Sequence, residues 1–222
     1  MKSFNERELV RKLDKILMKE FGTNLSFHEF SAGYGIADLV LAPNFSFKKN
    51  NIGRTPLTSF NGLNLFLMLE DKKEYDIFNI QKIFNHLTTC EVKREIKALL
   101  DCQYIKKVGT NRYVKITQKN GINPIKRIVA VEVKLNDHKA GLTQARRYQY
   151  FADDSYLAIL KDAEKNIDFD EFNKHNIGLI LFDRNTNSIE IKSPIRANYN
   201  CDNSVNLFAK EMMFNRFINL SF

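Results

Sequence analysis

The stretch Ala130-Val131-Glu132-Val133-Lys134-Leu135 places two charged residues in an apolar run with the composition of a buried β-strand. Side chains alternate between the two faces of a strand, so Glu132 and Lys134 share one face. A buried carboxylate and a buried ammonium are unfavourable unless they pair with each other or bind a metal ion. The stretch therefore predicts a structural ion pair or a catalytic site, and the ion pair is the more common outcome for an isolated motif of this kind.

A second apolar run, Ile36-Ala37-Asp38-Leu39-Val40-Leu41, contains one acid in the same way. If the two strands are neighbours, the carboxylates of Asp38 and Glu132 converge on one point. Hard oxygen ligands of this kind favour Mg²⁺ or Mn²⁺. Such an ion polarises a phosphoryl oxygen and lowers the pKa of a bound water. Lys134 would then orient that water or offset the charge that develops on the phosphate.

A third acid, Glu6, stands near the start of a helix predicted over residues 4–21. Its spacing from Leu9, Val10 and Leu13 puts it on the apolar face of that helix. Acids in the first turn also interact favourably with the helix dipole. Glu6 is therefore either a third ligand of the metal site or a residue that stabilises the helix start.

The predicted elements divide the chain into an outer and a middle part. Outside residues 55–119 the order is helix, three strands, helix, three strands, helix. This order predicts an α/β domain with a mixed central sheet flanked by helices, formed by residues 1–54 and 120–222. Residues 57–117 instead predict three helices and a two-stranded hairpin with a Gly-Thr-Asn turn, so residues 55–119 form an inserted domain.

The order of Asp38 and Glu132-Val133-Lys134 resembles that of the PD-(D/E)XK nuclease superfamily, which includes restriction enzymes, Holliday-junction resolvases and RecB-type nucleases. The next helix contains Gln144 and Tyr148, similar to the Q-x-x-x-Y motif with which RecB-like members hold the site and the DNA. The stretch Asn5-Glu6-Arg7-Glu8-Leu9-Val10 is similar to the first helix of resolvase-like members, whose Glu can join the metal site. The resemblance covers about residues 1–43 and 126–192.

This resemblance implies a restriction-endonuclease-like fold and a specific ligand set. Asp38, Glu132, Glu6 and the backbone carbonyl of Val133 would hold Mg²⁺ or Mn²⁺. Two departures from the family pattern are visible. Ala37 replaces the Pro that precedes the Asp, a loss that is frequent in the superfamily. Residues 39–131 separate Asp38 from Glu132, which is longer than the usual hairpin and requires an insertion.

The inserted segment 57–117 resembles a winged helix-turn-helix, with a recognition helix over residues 88–101 capped by Thr88 or Thr89. A recognition helix fits the major groove of DNA, and the cations of a wing reach phosphates. The predicted DNA contacts, including two arginines of the outer domain, are Thr89, Lys93, Arg94, Lys97, Lys106, Lys107, Arg112, Arg146 and Arg147. A winged helix also serves protein contact, and a solvated helix face explains Arg146 and Arg147 as well.

The formal net charge of +8 and the pI near 9.3 favour an acidic partner, and nucleic acid is the commonest one. Three cysteines without zinc-ligand spacing predict free thiols in a reducing compartment. Residues 1–20 carry charges throughout, and no run approaches the roughly 20 apolar residues of a membrane span. We therefore expect a cytoplasmic protein without membrane association.

The function predicted from these features is metal-dependent hydrolysis of phosphodiester bonds in DNA, with the duplex docked by the winged helix. Two other classes remain open: a catalytically silent DNA-binding regulator on a nuclease fold, and a protein-interaction scaffold. RNA is an alternative substrate. Cleavage of both strands of a duplex needs two active sites, so a homodimer is expected for that activity.

Overall fold

The computed structural model describes residues 4–45, 55–116, 123–198 and 200–221. The chain is a mixed α/β protein with two compact units. One comprises residues 1–45 and 125–209, and we call it the outer unit. The other comprises residues 46–124 and 210–222, and we call it the middle unit.

The strands are β1 (Ser26–Ser31), β2 (Ile36–Leu41), β3 (Glu74–Asp76), β4 (Ile105–Gly109), β5 (Arg112–Lys115), β6 (Val129–Val133), β7 (Asp154–Leu160), β8 (Gly178–Asp183) and β9 (Ser188–Lys192). The helices are α1 (Glu6–Glu20), α2 (Phe60–Met68), α3 (Ile77–Ile83), α4 (Thr89–Asp101), α5 (His138–Tyr148), α6 (Phe169–His175) and α7 (Asn203–Ser221), with a 3₁₀ helix at Lys161–Asn166.

The outer unit is built on a six-stranded mixed sheet in the order β1-β2-β6-β7-β8-β9. The pairs β1–β2, β2–β6 and β8–β9 are antiparallel, whereas β6–β7 and β7–β8 are parallel. All five residues of β6 are buried. Strand β6 is therefore a central strand with both faces covered, which is the position predicted for the stretch that carries Glu132.

Helices cover both faces of this sheet. The apolar stripe of α1, with Leu9, Leu13 and Leu17, joins a buried cluster with Val131 and Val133 of β6. On the other face, α5 and α6 pack over β7 and β8 in a second cluster. The predicted mixed sheet flanked by helices is confirmed.

Two helical segments of the outer unit were not predicted from the sequence. Strands β7 and β8 are parallel, so the chain must cross over between them. The 3₁₀ helix Lys161–Asn166 and α6 form this crossover. The segment is short and mostly polar, and of α6 only Phe172 is buried, so it gives no helical repeat of apolar residues.

The middle unit contains α2, α3 and α4 and an antiparallel sheet in the order β3-β5-β4. The sequence predicted the β4–β5 hairpin but not the three-residue strand β3, which adds a third strand to it. Thr88 caps α4 through a capping box with Glu91, which decides between the two threonines.

The C-terminal part of α7 belongs to the middle unit, whereas the sequence division placed all of residues 120–222 in the outer domain. The side chain of Glu211 explains the difference, because it is fully buried and accepts three hydrogen bonds within the middle unit. The donors are the backbone N–H of Leu57, the hydroxyl of Tyr104 and the side-chain amide of Asn123, each at 2.6 Å.

Within the described residues, no helix has both the length and the apolar character that spanning a bilayer requires. Cys90, Cys102 and Cys201, all among the described residues, form no disulfide bond.

Candidate active site

Asp38 and Glu132 lie on neighbouring strands of the outer unit. In the β2–β6 ladder, Leu39 pairs with Val131 and Val40 pairs with Ala130. One further step of this register sets Asp38 opposite Glu132. Residues directly opposite each other in an antiparallel pair project from the same face of the sheet, so the two carboxylates share one side of it.

The carboxylate of Asp38 is held by the neighbouring strand. Its Oδ2 accepts a hydrogen bond from the backbone N–H of Val133 at 2.8 Å. Burial raises the pKa of Asp38, although this hydrogen bond and the charge of Lys134 act in the opposite direction. The surroundings of Asp38 therefore stabilise its ionised carboxylate only in part.

Glu132 is 1% exposed, and both of its carboxylate oxygens have partners. Oε1 lies 2.7 Å from Nζ of Lys134, and Oε2 lies 2.5 Å from the hydroxyl of Tyr148. Burial still raises the pKa of Glu132, and the charge of Asp38 adds to the rise. A positive charge beyond Lys134 would stabilise both carboxylates.

Lys134 connects three of the predicted residues. Its Nζ contacts Glu132 and lies 4.0 Å from Oε2 of Glu6, whose Oε1 accepts from the backbone N–H of Leu135 at 3.4 Å. Burial alone would lower the pKa of Lys134, but Glu132, Glu6 and Asp38 together raise it above its ordinary value. Lys134 is thus a cation at neutral pH, and it acts as a hydrogen-bond donor rather than as a base.

Tyr148 joins α5 to this site. Its hydroxyl lies 2.5 Å from Glu132 Oε2 and 2.7 Å from the carbonyl oxygen of Ile36. Burial and the adjacent Glu132 raise the pKa of Tyr148, so its hydroxyl keeps its proton. Gly35, with a φ of +109°, leaves room for the ring, since a Cβ there would lie 3.3 Å from Cε1 of Tyr148.

Gln144 and Val133 are the other two predicted site residues. Gln144 is half-exposed one turn before Tyr148 on α5, and its side chain makes no hydrogen bond with another residue that the structure describes. Val133 joins the site through its backbone N–H, which donates to Asp38, and the role of its carbonyl as a metal ligand stays a prediction.

Glu29 is an acid of this site that the sequence did not reveal. The β1–β2 ladder pairs His28 with Leu39 and Phe30 with Ala37, so Glu29 lies opposite Asp38. Its charge contributes to the raised pKa of Asp38. Glu29 also has a φ of +50°, a left-handed conformation that is uncommon for a residue with a long side chain. The register of the first hairpin was the signal that would have identified it.

Gly141 brings α5 close to the sheet beside the site. A Cβ at this position would lie 2.5 Å from Cδ1 of Leu157 and 2.9 Å from Cγ of Lys134. A side chain at this position would therefore require Leu157, Lys134 or the helix itself to shift.

The donor set suits a hard divalent cation. Asp38, Glu132 and Glu6 bring three carboxylates to the surroundings of the Lys134 ammonium group, and Glu29 adds a charge that acts on Asp38. No group of three or more His, Cys, Asp or Glu side chains among the described residues is already arranged to hold a metal ion. Mg²⁺ is commonly bound by only one or two carboxylates, with water and substrate phosphates completing its shell. The residues present therefore fit such an ion.

The predicted DNA contacts of the middle unit are exposed. Thr89, Lys93 and Lys97 lie on the open face of α4, and Lys106 and Lys107 are exposed on β4. The two predicted arginines of the middle unit each form an ion pair. Arg94 donates to the buried Glu95 at 3.0 Å, and Arg112 lies 3.4 Å from Glu74. Arg146 and Arg147 are exposed in the last turn of α5 in the outer unit.

No protein-family model, curated protein or solved structure matches this chain.

Proposed function

We propose that this protein is a metal-dependent nuclease that hydrolyses phosphodiester bonds in DNA. The observation that carries the proposal is the pair Asp38 and Glu132, two partly or fully buried carboxylates on neighbouring strands whose pKa values are both raised. Perturbed acids beside a cation are typical of catalytic sites, although structural ion pairs also produce them.

Each residue has a distinct part in this proposal. Asp38 and Glu132, with Glu6 and the Val133 carbonyl, would hold Mg²⁺ or Mn²⁺. When bound, the ion supplies Lewis-acid polarisation of a phosphoryl oxygen and an acidified water. The ammonium of Lys134 orients that water and offsets negative charge at the phosphate. Tyr148 holds Glu132 in position through its hydroxyl.

A restriction-endonuclease-like fold and an inserted winged helix belong to the same proposal. The adjacency of β2 and β6 supports the first, because it brings the predicted Asp and Glu together. The three helices and hairpin of the middle unit support the second. Its exposed lysines would contact the phosphates of a docked duplex. A cytoplasmic location and, for cleavage of both strands, a homodimer complete the proposal.

The test is cleavage of supercoiled and linear DNA with Mg²⁺ or Mn²⁺, comparing wild type with Asp38→Asn and Lys134→Met. Asp162→Asn and Lys161→Met are matched controls, since both change exposed residues of the same unit. We expect metal-dependent nicking or linearisation that only the two site variants abolish. Cleavage that survives Asp38→Asn would remove this site from the reaction.

The second candidate is a silent DNA-binding protein with the same architecture. One observation favours it: Lys134 and Tyr148 already occupy both oxygens of Glu132. The same cleavage test separates the two, because a silent protein binds DNA in a salt-dependent manner and leaves it intact with every metal.

A further inference from the structure

A basic cavity of about 460 Å³ lies in the outer unit, apart from the carboxylates described above. It is bounded by the end of α5, the end of α6 and the segment between β9 and α7. Its lining includes four cations and one histidine: Arg146, Arg147, Lys174, Arg196 and His175.

These cations lack compensating charge. None of the described residues that line the cavity is acidic, and none of the four cations forms an ion pair within the described chain. Cations in the last turn of a helix interact favourably with its dipole, which explains Arg146, Arg147 and Lys174. That explanation does not extend to Arg196, which lies in a loop. Convergence of like charges is unfavourable unless an anion joins them.

Neutral hydrogen bonds hold the loop that carries Arg196. The side chain of Asn176 accepts from the N–H of Arg196 at 3.2 Å and donates to its carbonyl at 3.1 Å. The buried Gln149 accepts from the Asn200 amide at 3.2 Å and donates to the carbonyl of His175 at 3.0 Å. The basic groups are therefore presented on a fixed backbone, which lowers the entropy lost when a ligand binds.

The pKa of His175 depends on the charges around this cavity. Burial lowers its pKa, and the charges of Arg146 and Lys174 lower it further, with exposed Glu171 acting in the other direction. A bound anion would reverse the effect of the cations, so the imidazole is a local probe of occupancy.

We propose that this cavity binds a phosphate group of the nucleic acid strand that occupies the active site. Arginine forks and a lysine ammonium suit phosphate oxygens. Tyr150 lines the same cavity and stacks on Tyr34 with ring centroids 4.8 Å apart. Both rings are partly exposed, and such faces accept stacked bases.

The tyrosine pair also connects the cavity to the site. Tyr34 stands two residues before Ile36, whose carbonyl contacts the hydroxyl of Tyr148, and Tyr150 stands two residues after Tyr148. A nucleic acid strand bound at the carboxylates would therefore pass the tyrosine pair first and the cations of the cavity next. The phosphate site stands on its own geometry, whereas its assignment to a nucleic acid strand rests on the proposed function.

The test uses the full chain in EDTA, where metal-dependent cleavage cannot occur. Inorganic phosphate is titrated while the imidazole resonance of His175, assigned with His175→Gln, is followed by NMR. We expect a saturable rise in the pKa of His175. Arg196→Gln should weaken the affinity about tenfold, the loss typical of one charge-assisted contact, and Arg196→Lys should restore part of it. Arg11→Gln removes an exposed, unpaired cation of α1 and should change nothing.

Single-stranded oligonucleotides with a 5′-phosphate or a 5′-hydroxyl identify the source of the phosphate. Tighter binding of the phosphorylated form assigns the cavity to a strand end, and equal binding that Arg196→Gln weakens assigns it to an internal phosphate. A His175 resonance that does not respond to any of these anions overturns the inference. If the protein binds these anions but cleaves no DNA in the presence of metal, only the proposed nuclease function is contradicted.

Discussion

The hydroxyl of Tyr148 lies 2.5 Å from Oε2 of Glu132, so a residue of α5 holds the carboxylate that β6 presents. The same hydroxyl reaches the Ile36 carbonyl on β2 at 2.7 Å. One side chain thus ties together the two strands that carry the site acids.

Tyr148→Phe removes this connection while keeping the ring. We expect the activity of the proposed nuclease to fall by about 10–100-fold, the usual effect of losing a group that orients a metal ligand. The free energy of unfolding should fall by about 1 kcal/mol, because a buried hydrogen bond is lost. Steady-state cleavage rates and urea unfolding measure the two effects. Tyr156→Phe is the control, because it removes the hydroxyl of another buried tyrosine of the outer unit, which contacts Ser193 away from the site. Equal loss of activity in both variants would contradict a specific role.

Asp38→Asn tests the electrostatics of the protein without metal. Burial raises the pKa of Asp38 in the folded state above its ordinary value of 3.8, so the folded protein binds more protons between the two values. Its stability therefore falls as the pH rises through that window. We expect Asp38→Asn to be more stable than wild type at pH 7 in EDTA and equally stable below pH 3.8. Urea unfolding across this pH range, with Asp162→Asn as control, measures the difference in stability. A variant that is less stable than wild type at pH 7 would contradict the prediction.

Metal binding should reverse that destabilisation. An ion that binds only the folded state adds about 2.7 kcal/mol when it is present at 100 times its Kd. For a chain of this size we expect Mn²⁺ to raise the unfolding temperature by about 5–10 °C. Asp38→Asn should lose this increase. An identical increase in the variant would show that Mn²⁺ binds elsewhere.

Gly141→Ala tests the close approach of α5. Alanine favours a helix over glycine by about 1 kcal/mol, but overpacking against Leu157 and Lys134 costs about 1–3 kcal/mol. We expect a net loss of stability together with weaker activity, because Tyr148 would be displaced. Lys139→Ala, at an exposed position of the same helix, should stay within about 0.5 kcal/mol of wild type. A stabilised Gly141→Ala would contradict the packing.

Lys97→Gln tests the proposed DNA contacts of the middle unit. Each phosphate contact contributes about 0.9 to the slope of log affinity against log salt. We expect the slope for duplex DNA to fall by about that amount in the variant. Lys73, whose charge is paired with Glu70, supplies the control Lys73→Gln. Unchanged slopes in both variants would favour a middle unit that contacts protein.

The sequence was most informative where charge interrupts an apolar run. Asp38, Glu132 and Lys134 were singled out because burying a charge is unfavourable, and burial can be inferred from apolar neighbours. The structure brings these three together with Glu6 and Tyr148. Glu29 was missed because β1 is mostly polar, so an acid there does not interrupt an apolar run, and its position opposite Asp38 follows only from the hairpin register.

Contacts between distant segments could not be predicted from the sequence. Gly141 is important because α5 packs closely on β6 and β7. A single glycine in a helical sequence does not indicate that packing. Glu211 looks like an ordinary helical acid, yet it is fully buried and accepts from the N–H of Leu57, 154 positions earlier in the chain. Such partners follow from tertiary packing, which a local periodicity does not encode.

The discontinuity of the outer unit has a consequence for its synthesis. Strand β2 pairs with β6, and the whole middle segment is translated between them. At about 5–20 residues per second, the first hairpin leaves the ribosome several seconds before its partner strand does. During that interval β2 presents an unpaired apolar edge, which invites pairing with other nascent chains. The charge of Asp38 near the start of this edge opposes such pairing, so an acid of the proposed site would also act as a gatekeeper against aggregation.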